Sequence, residues 1–161
     1  MINSEEFSKM LSFELDIVKT QTAGLSQEDS LLQPEPGGNC LNWVMGHLVV
    51  NLIDILQVLE GKMPEDLPNV SRYRIGSEPI LCGKEGMLTL EELLEAYILM
   101  NKKVLNQLAE MAEDDFEEEI DFWQGKSRRG YVAFFYFFHN TYHLGQLEYL
   151  RNLAGKTEKI I

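Results

Sequence analysis

The chain is short of cysteine, of positive charge and of histidine, and each shortage narrows what it can be. Cys40 and Cys82 are its two cysteines, too few for a disulfide framework. Lys and Arg total 14 against 26 Asp and Glu, giving a formal net charge of −12. A surface that acidic repels nucleic-acid phosphates and anionic membranes, so neither is expected as a partner. The longest apolar run, Tyr131 to Phe138, is far too short to span a bilayer. The opening M-I-N-S-E-E-F lacks the basic and apolar regions of a signal peptide, and the expected compartment is the cytoplasm.

What is present suits one ordinary domain. The 161 residues are 45% hydrophobic and 25% charged, enough for a real core in a single unit spanning 1–161. Four long segments carry helical periodicity. The first runs from about Glu5 to Ala23, with Phe7, Met10, Leu11, Leu15, Ile17 and Val18 on its apolar face. Ser26 to Leu31 reads as one capped turn, and Pro34, Pro36, Gly37 and Gly38 then break the chain.

The second helix is expected from about Leu41 to Glu60, capped near Asn39 and ended by Gly61. A connection from Lys62 to Leu88 follows, long enough to be functional or to hide short elements. The third helix opens on the capping box Thr89-Leu90-Glu91-Glu92. The acidic run after it reads as solvated surface, anchored by Phe116 and Ile120. The fourth helix is expected from about Arg128 to Leu153. The fold class that follows is all-α, a four-helix bundle with a long connection between helices 2 and 3.

Histidine occurs only at His47, His139 and His143. On a helix the last two project from one face, with Cβ atoms roughly 5–6 Å apart. They fall amid Val132, Phe135, Tyr136, Leu147, Leu150 and Leu153 and therefore face inward. Two stacked inward imidazoles can grip one metal ion, and a third completes a three-nitrogen site with an open position. His47 lies about 120° off the aliphatic stripe of its helix. It shares that side with Cys40, Asn51 and Asp54, which leaves two readings, a cleft wall or a solvated flank.

Glu14 falls within the apolar stripe of the first helix. It either hydrogen-bonds a ligand histidine or reaches water past its neighbours. Gln146, three residues after His143, also points inward and is a candidate partner for a ligand imidazole. The first half of the fourth helix is apolar on every side, through Phe134, Phe137 and Phe138, so the long connection or a dimer interface must cover it.

N-C-L-N-W-V-M-G-H-L and the closing H-N-T-Y-H-L-G-Q-L-E-Y-L-R-N-L-A-G resemble the DinB-like (YfiT-like) superfamily of metal-binding four-helix bundles. The resemblance covers nearly the whole chain and implies a metal triad of His47, His139 and His143. It implies zinc or nickel as the divalent metal, a homodimer, and relatives that include thiol-dependent transferases and isomerases. The chain departs from some relatives at Asn140, where they carry Glu. An amide does not titrate, so Asn140 is no general base, and the base must come from elsewhere, with Glu14 and Asp54 the candidates.

The leading expectation is a metal-dependent transferase using a low-molecular-weight thiol as nucleophile, acting on a small-molecule substrate near Trp43 and Tyr136. Arg72, Arg74, Arg128 and Arg129 are candidates to hold an anionic group. The alternatives are a hydrolase with metal-activated water, and a non-enzymatic bundle whose fourth metal position is filled by Glu14 or Cys40.

Overall fold

The computed structural model describes residues 3–81, 85–123 and 125–160; Cys82 lies outside them. Four long helices make the bundle: α1 (Ser4–Thr22), α3 (Leu41–Val58), α4 (Leu90–Glu110) and α6 (Arg129–Leu153). Between them lie the short helices α2 (Gln27–Ser30) and α5 (Glu113–Glu117), a 3-10 turn at Ser71–Tyr73, and a hairpin of β1 (Glu119–Phe122) and β2 (Gly125–Arg128). The long helices pack in a ring, α1 on α6, α6 on α3, α3 on α4 and α4 on α1, so α1 and α3 sit diagonally.

Local chemistry sets the starts. Capping boxes on Asn3, Ser26 and Thr89 begin α1, α2 and α4, each satisfying backbone donors the first turn cannot. The cap of α3 is a correction. It falls on Cys40, one residue past Asn39, and its side chain makes no capping bond. That start is held by tertiary contacts instead, with Asn42 Nδ2 donating to Leu88 O at 2.9 Å.

α3 is the core helix. Every residue from Leu41 to Ile53 is buried, as are Ile55 and Leu56. Its mean hydropathy of 1.4 matches a membrane span, but 83% of it lies inside the protein, so the bundle itself accounts for that apolarity. The connection before α4 explains why the first three turns of α3 have no wet side: its Val70, Tyr73 and Ile80 join the core. Gly46 lets it come that close, because a Cβ there would overlap the Tyr73 ring.

The acidic run holds more structure than a solvated surface. It forms α5 and β1, and β1 pairs antiparallel with β2, Asp121 opposite Lys126 and Phe122 opposite Gly125. Ile120 and Phe122 alternate with Glu119 and Asp121, the period of a half-buried strand. Phe116 is buried as expected and packs against Gly130. Arg129 ties the region to α3, ion-paired with Glu60 and Glu118 and donating to Val58 O at 2.7 Å.

On α6 the inward face is broader than one stripe. Ala133, Phe137, Asn140 and Leu144 are buried along with Val132, His143, Leu147 and Leu150. Phe135 and Tyr136 are half-buried, and Leu153, expected on the inward side, is exposed. Phe138 is uncovered at 65% exposure, so neither the connection nor the hairpin covers that side.

Candidate metal centre

His47 comes from the middle of α3, and His139 and His143 from successive turns of α6. Packing of α3 on α6 brings the rings together. His139 Nε2 lies 3.1 Å from His47 Nε2 and 3.0 Å from His143 Nε2. These separations approach the ligand-to-ligand edge of a site with metal–nitrogen bonds of roughly 2.0–2.1 Å. His47 is 5% exposed, so of its two readings the solvated flank is wrong.

The other ring nitrogens decide what the Nε2 atoms offer. His47 Nδ1 donates to Tyr73 O at 2.8 Å, since a carbonyl only accepts. His143 Nδ1 donates to Gln146 Oε1 at 2.7 Å. Each bond puts the proton on Nδ1 and leaves a lone pair on Nε2. Two lone pairs then face the same nitrogen of His139, which has one proton at most to share between them. A cation bound by all three nitrogens removes that conflict, so the donor set fits a divalent metal.

Burial keeps the imidazoles neutral. It pushes the pKa of His47 and of His139 below the ordinary value, and that of His143 down to about 4 despite the bond to Gln146. Trp43 braces the site. Its indole stacks on His47 with ring centroids 4.7 Å apart and donates through Nε1 to Ser77 Oγ at 2.9 Å. Among the described residues no carboxylate or thiol joins the three imidazoles. Cys40 is buried elsewhere, its Sγ 3.6 Å from Ile80 O.

Glu14 does not reach a ligand histidine, nor does it reach water. It is 2% exposed in the α1–α6 interface, where Asn140 Nδ2 donates to its Oε2 at 3.5 Å. Asn51 and Asp54 follow His47 along one face of α3 and line a cleft of about 830 Å³ together with His47, His139 and Tyr136. Burial pushes the Asp54 carboxyl pKa up, opposed by Arg74; burial also raises that of Tyr136, helped by Asp54.

Sequence reasoning missed two parts of this site. Tyr73 supplies the carbonyl that orients His47, and no local signal at Tyr73 announces it. Phe122 and Trp123 of the hairpin wall the cleft, and the alternation of Ile120 and Phe122 was the available sign.

A four-helix bundle presenting three imidazoles from two facing helices defines a class of bundle that could hold a metal ion. The chain belongs to the DinB superfamily, whose model matches residues 16–147. A DinB-like protein from Bacillus cereus ATCC 10987 shares the fold with a TM-score of 0.75 at 19% identity, over 98% of this chain and 96% of that one. A conserved protein from Enterococcus faecalis is similar with a TM-score of 0.66 at 14% identity, over 96% of this chain and 98% of that one. No curated protein matches the sequence.

Proposed function

We infer that the chain is a divalent-metal-dependent enzyme acting on a small molecule in the cleft beside His47 and His139, and that it transfers a small thiol to an electrophile. The observation that carries this reading is the convergence of three Nε2 atoms beside an open cleft of about 830 Å³. Bound there, a divalent cation such as zinc or nickel supplies a Lewis acid that converts a thiol to thiolate at neutral pH.

The chain's own residues supply the rest. Tyr73 O and Gln146 fix two imidazole tautomers. Phe122, Phe135 and Tyr136 give the cleft an apolar wall. Asn51 carries a buried Nδ2 with no partner and lines the same cleft, where it can donate to a bound group. Asp54, on the His47 face of α3, is the carboxylate we assign to take a proton; Glu14 does not line the cleft and Asn140 cannot titrate.

Asp54 also supports a second reading, hydrolysis with water in place of the thiol. The test is metal content by elemental analysis, followed by thiol consumption with electrophiles such as chlorodinitrobenzene, with and without chelator. Stoichiometric metal and chelator-sensitive thiol transfer are expected. A metal-loaded protein that moves no thiol refutes the transferase, and thiol-independent, chelator-sensitive ester cleavage establishes the second reading.

A homodimer is part of the same proposal. Tyr131, Phe138, Tyr142 and Tyr149 stand exposed along one side of α6 at heptad-like spacing, and a second copy would cover them. Light scattering tests this, and a monomer mass at working concentration refutes it.

A further inference from the structure

Four arginines are candidates to hold an anion, and their surroundings separate them. Arg129 is buried and committed to Glu60, Glu118 and two carbonyls. Arg128 is paired with Glu117 at 2.9 Å. Arg72 lies in a different pocket, formed by the connection, and donates to Pro79 O. Arg74 alone of the four lines the cleft that holds His47 and His139.

Its guanidinium is poorly spent. The nearest carboxylate oxygen, Asp54 Oδ1, is 3.9 Å away, and the Arg74 side chain is 54% exposed. At that distance the contact is an ion pair and not a hydrogen bond, so the fork of N–H donors suited to a carboxylate or phosphate remains open.

One wall of the cleft is aromatic. Phe122 packs against Phe135 with centroids 5.5 Å apart and against Trp123 at 5.6 Å. Ile75 and Trp123, at 85% and 74% exposure, are the most exposed large apolar side chains among the described residues, and both line this one cleft. Scattered exposed apolar residues need no explanation, but two that flank a concave aromatic wall mark a binding surface. The second carboxylate of the cleft, Asp121, is in register with Lys126 across the hairpin, so a cation stands on the neighbouring strand.

We propose that the cleft selects a small molecule with a flat aromatic body and an anionic substituent, the ring lying against Phe122, Trp123 and Phe135 and the anion taken by Arg74. This rests on the reading of the cleft as the substrate site. Arg74 exchanges its long contact with Asp54 for a bidentate one with the ligand, which also frees Asp54 to accept a proton.

Calorimetric titration with three probes of one shape tests it: naphthoate, naphthalenemethanol and naphthylmethylamine, added to the metal-free protein so that the carboxylate has no metal to bind. Naphthoate is expected to bind at least tenfold more tightly than the other two. Arg74→Gln should erase that preference while leaving the alcohol unchanged, and Trp123→Ala should weaken all three alike. Both side chains are exposed, and circular dichroism confirms that the variants fold. Equal or tighter binding of the amine, no binding by any probe, or naphthoate affinity unchanged in Arg74→Gln would each overturn the proposal. Metal uptake is read separately. A protein that binds metal and not the aromatic anion loses this inference and keeps the three-histidine reading.

Discussion

Glu14 offers a prediction whose size can be worked from its surroundings. Its carboxyl is 2% exposed, and one oxygen, Oε1, has no partner. Burial pushes its pKa from 4.5 to about 8, against the opposing donation from Asn140. The folded chain therefore holds a proton on Glu14 at neutral pH, where the unfolded chain has lost it. A protonated carboxyl has an O–H to give, and Asn140 Oδ1 is a buried acceptor without a partner. The contribution of this group to stability is fully present below pH 4.5 and is lost as pH rises through about 8. At about 1.4 kcal/mol per pH unit, tapering as pH nears either pKa, the loss between pH 5 and pH 8 comes to roughly 3.5 kcal/mol. Glu14→Gln keeps the shape and removes the titration. Urea unfolding of the metal-free protein and this variant from pH 5 to pH 8 should show the variant gaining on the parent by about that amount. All other titrating groups are common to both chains and cancel in the difference. A stability difference that stays flat across this range refutes the neutral, buried carboxyl.

Gln146→Leu removes the acceptor of His143 Nδ1 and should weaken metal binding about 10–100-fold by competition with a chelator, whereas His143→Ala should abolish stoichiometric metal by elemental analysis; metal retained in both counts against the triad. The imidazoles have lowered pKa values, about 4 for His143. In the metal-free protein all three should thus titrate below the ordinary 6.5, with stability present above that pH and lost as it falls, because the unfolded chain takes up protons first. Histidine ring resonances followed by NMR check this, and midpoints at or above the ordinary value refute it. Gly46→Ala drives a methyl into the Tyr73 ring and should cost about 3 kcal/mol, read as a fall in Tm; an unchanged Tm would mean the connection is not seated on α3.

The bundle was legible because amphipathic stripes on α1 and α4 alternate with solvated faces, and because the capping box at Thr89 has a fixed spacing. The pair His139 and His143 was legible for the same reason, as two positions on one side of a helix. His47 was not. Measuring its angle from an aliphatic stripe assumes that the helix has a wet back, and α3 has none, since its whole first three turns are buried. What covers that side is the Tyr73 segment, which has no period to read.

The division has a physical cause that bears on function. The imidazoles sit on regular helices, which hold ligand geometry rigidly and leave a periodic trace in the sequence. Asn51, Asp54, Phe135 and Tyr136 line the cleft from the same helices, whereas Arg74, Ile75 and Trp123 come to it from irregular chain and a hairpin tip, where side chains answer to no repeat. The helical part of the site is therefore disclosed by the sequence, and the part contributed by the connection and the hairpin is withheld. For that reason the probes aimed at Arg74 and Trp123 carry more information about this protein than further substitutions among the histidines.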